Sequence, residues 1–151
     1  MQDFKTMDDV LQFAMNEEQK AVDFYTNLAE NSSNEDMQKV FEQFAKEEVG
    51  HKARLARIKE EGLYPSPQKG VADLKIADYQ TDVEPTADMD YSKALVVAMK
   101  KEKAAFRLYT DLAEKAPNEE MKKLFQELAQ EESKHKLRFE LEYDENVLRE
   151  N

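Results

Sequence analysis

The sequence predicts an all-α protein built from two copies of one helical hairpin, joined by a single long crossover. Three observations predict this. Residues 10–58 and 94–142 align at a constant offset of 84, with about two positions in five identical. A repeat of that length is a structural unit used twice. Apolar residues recur at alternating spacings of three and four within each copy, the period of a helix with one buried stripe. Only three Gly and four Pro interrupt 151 residues, and five of these seven lie between Gly62 and Pro85.

Each copy contains two helices. The first runs from about Met7 to Glu30, and Thr6 with Asp9 three residues later forms a capping signal. Asn31-Ser32-Ser33-Asn34 is the turn. Asn34 is a good N-cap, with Glu35 and Asp36 favourably placed in the first turn of the next helix. That second helix extends to about Glu61, where Gly62 can terminate it. Asp90 or Ser92 caps the third helix, Ala116-Pro117-Asn118 forms the second turn, and the fourth helix runs from Glu119 to near Leu148. The chain therefore divides into a hairpin at 7–62, a crossover at 63–89 and a hairpin at 90–148, read as one domain over 1–151. The crossover is far longer than the usual 2–8 residues between bundle helices. At about 3.3 Å per residue it can run the length of a helix of about 28 residues rising 1.5 Å each. One long crossover is the ferritin-like form of the four-helix bundle.

Polar residues interrupt the apolar seams at matching places. The first helix presents Leu11, Ala14, Glu18, Ala21, Tyr25 and Leu28, and the third repeats this with Leu95, Ala98, Glu102, Ala105, Tyr109 and Leu112. The second helix presents Met37, Phe41, Phe44, Glu48, His51, Leu55 and Ile58. The fourth presents Met121, Phe125, Leu128, Glu132, His135 and Phe139. Glutamate and histidine thus occupy slots that otherwise hold Leu or Ile. Each histidine, and the chain has only two, closes an E-x-x-H step that places both groups on one face, one turn apart. Ionised carboxylates in a core are costly and repel one another, and a bound metal cation resolves both problems. Carboxylate oxygen and imidazole nitrogen suit iron and manganese, and zinc also accepts such donors. The candidate ligands are Glu18, Glu48, His51, Glu102, Glu132 and His135. Glu47 and Glu131 fall off the seams and read as outer residues. Tyr25 and Tyr109, two turns beyond Glu18 and Glu102, are either core aromatics or phenols that support a ligand carboxylate.

Composition narrows the alternatives. A formal net charge of −11 argues against nucleic acid and against an anionic membrane surface. The absence of cysteine excludes disulfides, thiolate catalysis and iron–sulfur clusters carried by this sequence. Neither a signal peptide nor an apolar run of about 20 residues is evident, so a cytoplasmic protein is expected.

The pattern Ala14-x3-Glu18-x2-Ala21-x2-Phe24-Tyr25-x2-Leu28-Ala29, followed by Phe41-x2-Phe44-Ala45-x-Glu47-Glu48-x2-His51, resembles the ferritin-like domain of the rubrerythrin family. The second half resembles it too, and the likeness covers residues 7–145. It implies a diiron site held by the six residues named above, with Glu48 and Glu132 as bridges. It also implies reduction of hydrogen peroxide or reaction with dioxygen, and a homodimer. Two features depart from the family pattern. Rubrerythrins usually append a rubredoxin module whose iron needs four cysteines, so here electrons are expected from a separate donor protein. They also carry a second carboxylate one turn after the third-helix glutamate, where this chain has Ala105. The more symmetric ligand set also resembles simple diiron oxidases. Two other classes fit the same residues: a ferroxidase that binds or stores iron, and a metal-stabilised interaction or sensor protein without turnover.

Overall fold

The computed structural model describes residues 4, 6–62, 74–81 and 90–145. Its long elements are helices α1 (Met7–Asn31), α2 (Glu35–Glu61), α3 (Tyr91–Glu114) and α4 (Glu119–Tyr143). No strand occurs among the described residues. Helix α1 packs along α2, and α3 along α4.

Local chemistry starts and stops each helix. Thr6 and Asp9 form a full capping box: the Asp9 amide donates to Thr6 Oγ1 at 3.1 Å, and the Thr6 amide donates to Asp9 Oδ2 at 3.1 Å. Asn34 accepts from the Met37 amide at 3.1 Å, and its repeat counterpart Asn118 accepts from Met121 at 2.9 Å. Asp90, rather than Ser92, caps α3 by accepting from Lys93 at 2.9 Å. Ser92 instead donates its hydroxyl to Asp90. Each such cap is worth about 1 kcal/mol. Gly62 ends α2 at φ 58°, a left-handed conformation that a Cβ would penalise.

Contacts divide the chain into two compact units, one holding α1 and α2 and the other holding α3 and α4. In the first unit Met7, Leu11, Ala14, Tyr25, Met37, Phe41, Leu55 and Ile58 are buried. Leu95, Ala98, Tyr109, Leu112, Met121, Phe125, Leu128 and Phe139 are buried in the second. Leu28, Phe44 and Ala105, expected on the seams, are only half-buried. Leu28 lies in the last turn of α1, where the seam runs out, and Phe44 turns its ring edge-on against Tyr25 at 6.2 Å.

Most of the expected crossover, residues 63–73 and 82–89, lies outside the described residues, as does the predicted end of the fourth helix at 146–148. Within the crossover, Ile76–Tyr79 forms a single 3-10 turn. One turn is too short to leave a periodic signature in sequence. Tertiary contacts hold it: Tyr79 is buried, its hydroxyl donates to Asp111 of α3 at 2.7 Å, and Arg107 lies 5.9 Å from its ring centroid. Burial and the adjacent Asp111 carboxylate both raise the Tyr79 pKa, so the phenol stays protonated and donating.

Candidate metal centre

In the first hairpin Glu48 and His51 are three residues apart on α2, so both project from one face. Glu18 comes from the facing stripe of α1. His51 Nδ1 lies 3.1 Å from Glu48 Oε1 and 3.6 Å from Glu18 Oε2. In the second hairpin His135 Nδ1 lies 3.7 Å from Glu132 Oε1 and 3.5 Å from Glu102 Oε1. Within each triad one donor atom per residue lies within 4.8 Å of the other two. All six side chains are at most 3% exposed.

Burial at this depth removes most of the hydration that ionised carboxylates and an imidazolium require, at a cost of several kcal/mol per ion. In the metal-free chain the first triad offsets part of that cost with a proton. Burial itself disfavours the charged imidazole of His51. The facing carboxylates Glu18 and Glu48 outweigh this and push its pKa up to about 11. Any cation entering the triad must displace that proton. The donor set fits such an exchange. Two carboxylates and one ring nitrogen converge from two helices, and their hard and borderline atoms suit iron, manganese or zinc.

The surroundings of the two triads differ. Beside the first, Lys52 of α2 donates to Gln19 of α1 at 2.8 Å, tying together the neighbours of His51 and Glu18. The repeat counterpart of Gln19 is Lys103, and Lys136, counterpart of Lys52, pairs within α4 to Glu140 at 3.2 Å. Tyr25 and Tyr109 are buried along the same helix faces as Glu18 and Glu102. Glu47 and Glu131 are half-buried, unlike the adjacent Glu48 and Glu132. A buried residue that sequence reasoning missed is Glu142, 5% exposed, which accepts from the Tyr91 hydroxyl at 2.9 Å and lies 3.5 Å from Arg138. Its signal was available: it continues the α4 seam three residues past Phe139, where the first copy has the buried Ile58.

A family model described as Rubrerythrin matches residues 9–143, nearly the whole chain. A solved structure of a hypothetical protein from Pyrococcus furiosus is similar at 27% identity and a TM-score of 0.75, covering 92% of this chain and 89% of that one. No curated protein matches. Among the described residues no helix is long and apolar enough to cross a membrane.

Proposed function

Because the chain belongs to the rubrerythrin family, we propose that its six buried ligands hold two iron ions and that the protein is a non-haem diiron oxidoreductase reducing hydrogen peroxide or dioxygen. The observation that carries this reading is the duplicated triad, Glu18–Glu48–His51 and Glu102–Glu132–His135, each buried and converging within 4.8 Å. A structural role alone does not require two histidines and four glutamates at equivalent core positions.

When bound, the irons supply the electrons that reduce the oxidant and the positive charge that stabilises oxygen anions. The chain's own residues do the rest. Glu18 and Glu102 each cap one triad from α1 and α3. Glu48 and Glu132, one turn before the histidines, would supply carboxylate oxygens to the metal beside each histidine. His51 and His135 would each offer a ring nitrogen, His51 after giving up the proton that Glu18 and Glu48 hold on it. The apolar seams on either side, Ala14 and Tyr25 on α1 and Leu128 and Phe139 on α4, exclude bulk water. Tyr25 and Tyr109 present phenols along the faces of the first and third glutamates and support them by hydrogen bonding. No cysteine in these 151 residues can hold an electron-entry iron, so in this reading electrons reach the site from outside them. A homodimer is part of the same reading.

The test is metal content, optical spectrum and peroxide consumption of the purified protein. Two irons per chain, a near-ultraviolet oxo-bridged band, and peroxide-dependent oxidation of the reduced protein are expected. Two zinc ions that no iron displaces, with no reaction toward peroxide, would overturn it.

A further inference from the structure

The internal repeat supplies a control for surface chemistry. Residues kept between the copies serve the fold and the ligands, so a consistent change on one copy alone marks a role that only that copy has. Such a change runs along the α3–α4 hairpin, where gains of positive charge outnumber the four losses, Lys20 to Ala104, Lys46 to Gln130, Arg57 to Leu141 and Lys59 to Tyr143. Lys100, Lys101, Lys103, Arg107, Lys122 and Lys134 stand where the first copy has Asn16, Glu17, Gln19, Asp23, Gln38 and Gly50. Every one of these differences adds positive charge or removes negative charge. Over equivalent positions, 91–145 carry 11 basic and 12 acidic residues, a formal charge of −1, whereas 7–61 carry 7 and 13, a charge of −6.

Apolar exposure changes in the same place. A groove between α3 and α4, lined by Phe106, Thr110, Gln126, Gln130 and Ser133, has a volume of about 690 Å³. Phe106 is 41% exposed on its wall. One and two turns past Ser133 on α4 lie Leu137 and Leu141, 56% and 50% exposed. The first copy has Val22, Ala53 and Arg57 at these positions, with Val49, 53% exposed, where the second has Ser133, and its equivalent groove is only about 390 Å³. The second hairpin therefore combines exposed apolar side chains with a basic surround, on a protein whose overall charge of −11 would otherwise repel an acidic partner. An apolar centre with a charged rim is the chemistry of small, transient interfaces, in which the rim steers encounter.

The position of the face bears on its role. Lys103, Ser133 and Lys134 adjoin Glu102, Glu132 and His135 in sequence and point away from them, exposed where the ligands are buried. A protein seated there is separated from the second triad by about the width of one helix, roughly 10 Å. We infer that the exposed face of the α3–α4 hairpin is the docking surface for an acidic electron-donor protein. This inference rests on the oxidoreductase reading and names the partner of that same site.

The experiment uses the iron-loaded full chain and, as probe donor, a reduced acidic [2Fe–2S] ferredoxin. Second-order rates of iron reduction are followed by stopped flow at several salt concentrations. The variant Lys100→Glu/Lys103→Glu/Lys134→Glu should slow the ferredoxin reaction about tenfold at low salt and flatten its salt dependence. Lys20→Glu/Lys39→Glu/Lys46→Glu, which changes net charge equally on the first hairpin, should leave it within about twofold. Both variants should keep wild-type metal content and wild-type peroxide consumption with dithionite as reductant. Equal slowing in the two variants would mean steering by total charge and would overturn the docking face. So would Phe106→Ala/Leu137→Ala converting a sedimenting dimer to a monomer, which would make the face a contact between copies. Failure of the dithionite-driven reaction in the wild type would instead sink the oxidoreductase reading.

Discussion

Removing the metal should reverse the pH dependence of stability, and His51 gives the sign. Its pKa in the folded, metal-free chain is raised to about 11, against 6.5 when exposed. A raised folded-state value means the native state holds a proton that the unfolded chain has released between the two. The stabilisation is therefore fully present below pH 6.5 and is lost as pH rises toward 11. One proton gives a slope of at most about 1.4 kcal/mol per pH unit. From pH 7 to 9 the metal-free protein should lose up to about 3 kcal/mol. For a chain of this size, about 2–4 °C of Tm per kcal/mol translates that into a fall of roughly 5–10 °C. Thermal melts followed by circular dichroism, on chelator-treated protein at pH 7, 8 and 9, measure it. The metal-loaded protein should instead hold or gain stability over the same range, because its ligands must be deprotonated to bind. His51→Gln in the metal-free form should remove the His51 part of the slope. A Tm that stays level or rises between pH 7 and 9, or a slope unchanged in His51→Gln, would refute the argument that Glu18 and Glu48 hold a buried imidazolium.

Other outcomes follow from the same geometry. Glu48→Ala or Glu132→Ala should leave at most one iron per chain by elemental analysis, whereas Glu47→Ala and Glu131→Ala, at half-buried positions, should keep two. Asn34→Ala and Asn118→Ala each remove the acceptor for a first-turn amide, and each should cost about 1 kcal/mol in urea unfolding with metal stoichiometry unchanged. Tyr79→Phe should cost about 1 kcal/mol by deleting the 2.7 Å bond to Asp111, and hydrogen exchange should quicken at Ile76–Tyr79 before it does in α3.

Much of this protein is legible in one dimension because its chemistry is periodic and repeated. The helix limits follow from short-range signals, Thr6 with Asp9, Asn34, Asn118 and Gly62, whose partners lie within four residues. Glu48 with His51 and Glu132 with His135 could be paired by spacing alone, since a helix brings i and i+3 together regardless of what surrounds it. The family and the buried Glu/His clusters were readable for the same reason. Contacts between residues far apart in sequence were not. Tyr79 finds Asp111, Tyr91 finds Glu142, and Lys52 finds Gln19, pairs separated by 32, 51 and 33 residues. Only packing selects such partners, because any exposed carboxylate or amide satisfies the same donor. Folding also decided how far the seam extends. Leu28, Phe44 and Ala105 share the period of their buried neighbours yet stay half-exposed, because periodicity states which way a side chain points and only the facing surface determines whether anything covers it.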